Sequence, residues 1–291
     1  MGKRKVVMKK IRDYLKLLRV KHYVKNLLVF FPMFFGGVIF EKLRLEKTVL
    51  GFLAFSFVSS IIYIINDYRD IEKDRLHPKK KKRPLASGAV KKFEALFLAA
   101  ICALISSVCS VLIGNKSAFI CLLGYLFLNV LYSMGLKNKP IIDVVILASG
   151  FVIRVFYGGM ISGVTISKWL YLVIVTGSLY MGLGKRRNEL RAHTDSRDVL
   201  RFYNEGFLDK NMYVCVALVN VFYALWSIEM PNPKMIWTFP FFLVLLMIYS
   251  LDVEGDSDGD PVEVIIHDKI MIGVLIVYAI CIFGLLYLFK I

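Results

Sequence analysis

Acidic residues are in the minority in this chain, 22 against 38 lysines and arginines. The resulting formal charge of +16 would direct a soluble protein towards nucleic acid. What is missing is the polar sequence that a soluble fold needs. No stretch between the apolar runs is long enough to bury a core of its own, which excludes an appended soluble domain. Paired cysteines are missing too: Cys102, Cys109, Cys121, Cys215 and Cys281 all fall inside apolar runs with no Cys-x-x-Cys spacing, so they read as packing residues rather than metal or redox centres. The first 25 residues hold ten basic side chains but no short apolar core followed by a cleavage site, and are not expected to act as a secretory signal.

What is present is apolar sequence in long runs. A chain of 291 residues that is 57% hydrophobic and 14% aromatic is an integral membrane protein, whose charge partner is the bilayer surface rather than nucleic acid. Nine segments are long enough to cross, roughly 24–40, 48–65, 93–113, 117–134, 141–161, 167–183, 212–228, 235–251 and 270–289. Thirty of the 38 basic residues fall in the N-terminal segment and every second connection, seven on the opposite side, and Arg154 inside a span. This bias predicts an all-α bundle with its N-terminus in the cytoplasm and its C-terminus outside. Residues 1–291 are expected to form one transmembrane domain, with a basic segment at 1–23 and cytoplasmic loops at 67–92, 184–210 and 252–269.

The candidate chemistry gathers on those loops. In Asn66-Asp67-Tyr68-Arg69-Asp70-Ile71-Glu72-Lys73-Asp74, a continuous helix would set Asp67 and Asp74 about 20° apart and Asp70 about 60° from Asp67. Carboxylates on one face repel unless a cation sits among them, and oxygen ligands suit Mg²⁺ with phosphate. A solvated acidic turn balanced by Arg69, Lys73 and Arg75 is the alternative reading. Arg83, fixed before Pro84, suits a phosphate clamp, whereas Lys79 to Lys82 read as a solvated patch facing anionic lipid and His77 as a turn or metal-shell residue. Tyr132, Lys137 and Asp143 flank a short turn, where the plainer reading is a snorkelling lysine and a helix-start acid.

Lys185 and Arg186 follow a span directly, obeying the positive-inside bias or reaching in for phosphate. Arg154 lies about a dozen residues into an apolar span, which is costly unless it meets an anion, an acidic partner or a polar cavity. Gly159 and Gly163 form a small-xxx-small step that reads as helix packing. Asp256, Asp258 and Asp260 imitate a calcium loop, but Pro261 and His267 stand where glycine and glutamate are required.

Taken together these motifs resemble the UbiA superfamily of intramembrane transferases. Within it, the chain resembles the decaprenyl-phosphate phosphoribosyltransferase branch through Arg19-Val-Lys-His-Tyr-Val-Lys25-Asn26, His77-Pro78 with Arg83-Pro84, Tyr132-Ser133 with Leu136-Lys137, Ile153-Arg154 with Gly158-Gly159, and Gly184-Lys185-Arg186. The late acidic loop with Pro261, Glu263 and Asp268-Lys269 is similar to that branch as well, and Val20 departs from its usual proline. The resemblance implies nine helices around a cavity open to the cytoplasm of a bacterial inner membrane. It also implies transfer of a phosphoribosyl group from 5-phosphoribosyl 1-diphosphate to a polyprenyl phosphate, and leaves room for a homo-oligomer.

By the same resemblance Asp67, Asp70 and Asp74 hold Mg²⁺ and are catalytic, and Lys25, Asn66, Arg83, Tyr132, Lys137, Asp143, Arg154, Lys185 and Arg186 bind substrate. Two other functions fit the sequence: a prenyltransferase that alkylates an aromatic acceptor from a prenyl diphosphate, and a lipid or substrate transporter using Arg154 and the acidic loops. The transporter is weakened by the lack of an internal inverted repeat.

Overall fold

The computed structural model describes residues 2–78, 80–192, 198–255 and 268–289, so residues 256–267 of the expected acidic loop 252–269 lie outside the described residues. Among them the chain is all-helical. Eleven α-helices follow in order: α1 Gly2–Leu18, α2 Phe31–Phe35, α3 Lys42–Arg69, α4 Ile71–Leu76, α5 Lys92–Ile113, α6 Lys116–Met134, α7 Ile142–Ser162, α8 Lys168–Arg191, α9 Glu205–Glu229, α10 Phe239–Glu254 and α11 Lys269–Phe283. In an apolar solvent every backbone N–H and C=O must be satisfied within the chain, and uninterrupted helices do this.

Among the described residues, seven helical stretches are long and apolar enough to cross a membrane: α3, α5, α6, α7, α9, the stretch 233–254 and the stretch 269–288. Over its most apolar window, 56% of α3 and 56% of α7 is buried, against 17–28% for the other five, so α3 and α7 form the centre. α5 shows why the outer helices can face lipid, since Phe93, Phe97, Leu104 and Val111 point outward without a protein partner face.

Two of the nine expected segments differ in shape from a plain apolar helix flanked by loops. The first segment is not a continuous α-helix: a 3-10 helix runs over Val20–Phe30, and α2 ends at Gly36. Pro32 supplies no N–H to the turn before it, and the tight 3-10 winding lets the backbone press against α7. A Cβ added at Gly158 would lie 2.0 Å from the Val29 carbonyl oxygen, so only glycine admits this contact. α8 does carry the sixth segment, but it continues helical through the charged residues 184–191, which were expected to be loop. Its Arg186–Glu189 pair at i, i+3 supports that extension.

The Gly159/Gly163 step has a different cause from helix packing. Gly163 ends α7 in the left-handed region at φ 67°, and a Cβ on Gly159 would lie 2.9 Å from the Val164 carbonyl oxygen. Both glycines serve the turn after α7. The α3–α7 approach is set instead by Gly51, whose added Cβ would meet Ile161 Cδ1 at 2.2 Å.

Among the described residues, the two larger of four apolar cores lie in the two halves of the helical bundle. One joins α3, α5, α6 and α7 around Phe55, Ile62, Leu122, Tyr125 and Tyr157. The other joins α8, α9, α10 and α11 around Tyr180, Leu208, Met212, Tyr249 and Met271. All five cysteines are free thiols, with Cys102 and Cys109 buried in α5.

Candidate active site

Most of the polar residues singled out by sequence lie at the shared end of α3, α6, α7 and α8, in two ion-pair clusters bridged by α6. In the first, Asp67 at the end of α3 and Asp74 in α4 are 2% and 3% exposed, which rules out a solvated acidic turn. They do share a cation, and it is a guanidinium. Arg83 Nη1 donates to Asp67 Oδ1 at 3.2 Å and to Asp74 Oδ2 at 2.7 Å.

Arg19 Nη2 adds a second bond to the same Asp67 oxygen at 2.8 Å, and the Arg19 guanidinium lies over the Tyr63 ring at 4.5 Å from its centroid. Asp70 does not join them. α3 stops at Arg69, Asp70 takes up φ −94° and ψ 9°, and its carboxylate faces Lys137 Nζ at 3.5 Å. A single helical projection across 67–74 fails because the helix breaks at Asp70. His77 accepts from the Lys80 amide at 3.3 Å and is a turn residue.

The second cluster has a fully buried centre. Asp143, in the first turn of α7, and Arg186, in α8, are both 0% exposed and bond through Arg186 Nε and Asp143 Oδ2. Arg186 also donates to Glu189 Oε2 at 2.6 Å and to the Tyr132 hydroxyl at 3.1 Å. The other Asp143 oxygen accepts from the Tyr203 hydroxyl at 2.6 Å, and that hydroxyl in turn accepts from the Ile141 amide at 2.6 Å. Burial first, and then the bond to Asp143, push the Tyr203 phenol up to about 12, so it stays a donor.

α6 ties the clusters together with consecutive side chains. Tyr132 reaches Arg186, while the Ser133 hydroxyl donates to Asn66 Oδ1, and Lys137 just beyond reaches Asp70. Asn66, Asp67, Asp70, Asp74, Arg83, Tyr132, Lys137, Asp143 and Arg186 thus fall into separate bonded groups that neighbouring positions on α3 and α6 bring to one end of the bundle. Lys25 and Lys185 also make interactions, as does Tyr132 beyond its bond to Arg186.

Arg154 stands apart, deeper in α7 and 6% exposed. Its donors go to Asn26 Oδ1 at 2.8 Å, the Gly150 carbonyl at 2.6 Å and the Tyr125 hydroxyl at 2.9 Å, with its guanidinium over Phe55 and Tyr125. Among the described residues its partners include no carboxylate. It is a buried clamp that holds the 3-10 segment to α6 and α7, with Asn26 passing the bond on to Ser56 at 3.0 Å.

Sequence reasoning omitted Arg19 and Tyr203 from the site. They sit beside the two non-glycine residues with positive φ among the described residues, Arg19 itself at 52° and Ile141 at 66°. Such conformations cost about 1–3 kcal/mol each and persist where the surroundings impose them, here one per cluster. Arg19 did have a signal, its place in the N-terminal motif. Tyr203 had none.

No group of three or more His, Cys, Asp or Glu among the described residues is arranged to hold a metal ion. The donor set nevertheless suits Mg²⁺, which takes one or two carboxylates and completes its shell with water and phosphate oxygens. Asp67 and Asp74 are carboxylates already held beside cationic groups, and Asp70 is one helix break away.

The chain is 32% identical over 288 residues to the decaprenyl-phosphate phosphoribosyltransferase of Corynebacterium glutamicum, covering 94% of this chain and 86% of that one. It is 30% identical to the protein of the same name from Mycobacterium tuberculosis, covering 90% of each. A solved structure of a UbiA homolog from Archaeoglobus fulgidus bound to GPP and Mg²⁺ shares the fold, with a TM-score of 0.73, 21% identity and coverage of 94% and 99%. Residues 29–198 match the UbiA prenyltransferase family, and the chain, an integral membrane transferase, belongs to that family.

Proposed function

We propose that the protein transfers a 5-phosphoribosyl group from 5-phosphoribosyl 1-diphosphate to a polyprenyl phosphate, releasing diphosphate. The observation that carries this reading is the near-full-length likeness to relatives named decaprenyl-phosphate phosphoribosyltransferase, together with a polar site at one end of the apolar bundle. Such a site suits a reaction that joins a water-soluble sugar phosphate to a membrane lipid. We place it on the cytoplasmic face of a bacterial inner membrane, in accord with the basic-residue bias.

Asp67, Asp70 and Asp74 would hold Mg²⁺, which when bound neutralises charge on the diphosphate leaving group. The remaining roles fall to the chain's own residues. Arg83 and Lys137, 30% and 28% exposed, are within reach of phosphate oxygens. We assign Lys185 and Lys25 to anion binding as well. Arg186 has no exposed surface, so its part is to fix Asp143 and Tyr132 rather than to touch a ligand.

In the transfer, a phosphate oxygen of the acceptor forms a bond to the anomeric carbon as the bond to the diphosphate breaks, and the electron pair leaves with the diphosphate. The acceptor is mostly dianionic near neutral pH, with a second pKa of about 6, so no strong base is required. Positioning and electrostatics therefore supply the rate enhancement, with oxocarbenium character and inversion at the anomeric carbon.

The test is incubation of the purified protein with radiolabelled 5-phosphoribosyl 1-diphosphate, Mg²⁺ and a polyprenyl phosphate, counting label in the organic phase. Label that disappears with EDTA supports the reading. An unlabelled organic phase, in a preparation that attaches a prenyl chain to an aromatic acid, replaces it with prenyl transfer.

A further inference from the structure

In the first cluster the cations best placed to meet a ligand are already paired with carboxylates. Arg19 bonds Asp67, Arg83 bonds Asp67 and Asp74, and Lys137 faces Asp70. A diphosphate needs those cations, and a divalent metal needs those carboxylates. Neither ligand arriving alone is well served: the metal must displace guanidinium from buried carboxylates, and the diphosphate must draw guanidinium away and leave those carboxylates uncompensated. Arriving together they satisfy both sets at once.

We propose that Arg19 and Arg83 are exchangeable counter-ions, which neutralise Asp67 and Asp74 before the donor binds and pass to diphosphate oxygens as those carboxylates pass to the metal. This rests on the proposed function only in requiring a metal-bound diphosphate donor. The Arg19 and Arg83 side chains are 24% and 30% exposed, against 0% for Arg186, so a ligand can reach them without opening the core. Arg19 is also held by its stack on Tyr63, which keeps the guanidinium in place when its bond to Asp67 is given up. The consequence is strong coupling: metal and diphosphate each bind weakly alone and tightly together.

Equilibrium dialysis of the full-length protein in lipid nanodiscs tests this, using radioactive Mn²⁺ with and without inorganic diphosphate and the free Mn²⁺ buffered to one level. For wild type, diphosphate should tighten Mn²⁺ binding about tenfold. In Arg19→Gln, Mn²⁺ alone should bind several-fold more tightly than in wild type, and the enhancement by diphosphate should shrink. Arg19→Lys should track wild type. A merely structural role for Arg19 would weaken both ligands together rather than move them in opposite directions.

If Arg19→Gln does not fold, Arg83→Gln is read in the same way. Unchanged or weaker Mn²⁺ binding in the folded Gln variant, or full Mn²⁺ affinity in wild type without diphosphate, overturns the exchange. Because inorganic diphosphate is the probe, these outcomes are independent of whether the labelled transfer assay finds a phosphoribosyl or a prenyl donor.

Discussion

The two clusters are built from the same chemistry, aspartate against arginine, yet they differ in access. Around Asp67 and Asp74 the arginines are partly exposed and each aspartate relies on a guanidinium from outside its own helix. Around Asp143 every partner is enclosed: Arg186 is 0% exposed and Tyr203 is 7% exposed. A buried ion pair whose hydrogen bonds are all answered is a fixed part of the frame, whereas a pair with one open side can trade partners. One cluster is therefore suited to chemistry and the other to holding α7, α8 and the Tyr203 segment in register.

The widest separation should come from Arg186→Gln. It leaves the Asp143 carboxylate buried without its cation, a loss of about 3–5 kcal/mol, read as a large fall in Tm and poor recovery of folded protein. Asp67→Asn should do the reverse, folding with a near-normal Tm while lowering turnover about a hundredfold, close to 2.7 kcal/mol of transition-state stabilisation. If Asp67→Asn unfolds and Arg186→Gln merely slows, the roles given to the two clusters are exchanged.

Tyr203→Phe is the finer probe. Removing the hydroxyl leaves one Asp143 oxygen and the Ile141 amide without their partner, a loss of about 1–2 kcal/mol. The phenol's folded pKa of about 12 lies above its ordinary 10.0, so its contribution is complete below pH 10 and fades as pH rises through about 12. The Tm difference between wild type and Tyr203→Phe should accordingly stay constant between pH 6 and 9. A difference that grows or shrinks over that range contradicts the assignment of the bond. Smallest of all is Lys10→Ala, which removes the exposed Lys10–Glu94 pair and should leave both Tm and turnover unchanged.

Legibility in the sequence followed distance along the chain. The apolar runs that became α3, α5, α6, α7, α9, α10 and α11 were readable because length and hydropathy are local properties. The broken helical form of the first segment was not readable because it depends on Pro32 and on the contact between Val29 and Gly158, which is tertiary. Asp67, Asp74 and Arg83 could be grouped since they lie within one short stretch. Arg19 is 48 residues from Asp67 and Tyr203 is 60 from Asp143, and no periodicity links residues so far apart. Arg154 was correctly marked as out of place in an apolar span, yet its partners, an amide, a hydroxyl and a carbonyl on other turns and segments, were invisible until the chain folded.

The most direct test of this account is a structure of the protein with Mg²⁺ and 5-phosphoribosyl 1-diphosphate bound. The account predicts that Arg83 leaves Asp67 and Asp74 for diphosphate oxygens while the Arg186–Asp143–Tyr203 set stays in place. A donor complex in which Arg83 still bridges the two aspartates, and the Arg186 pair has opened instead, would contradict it.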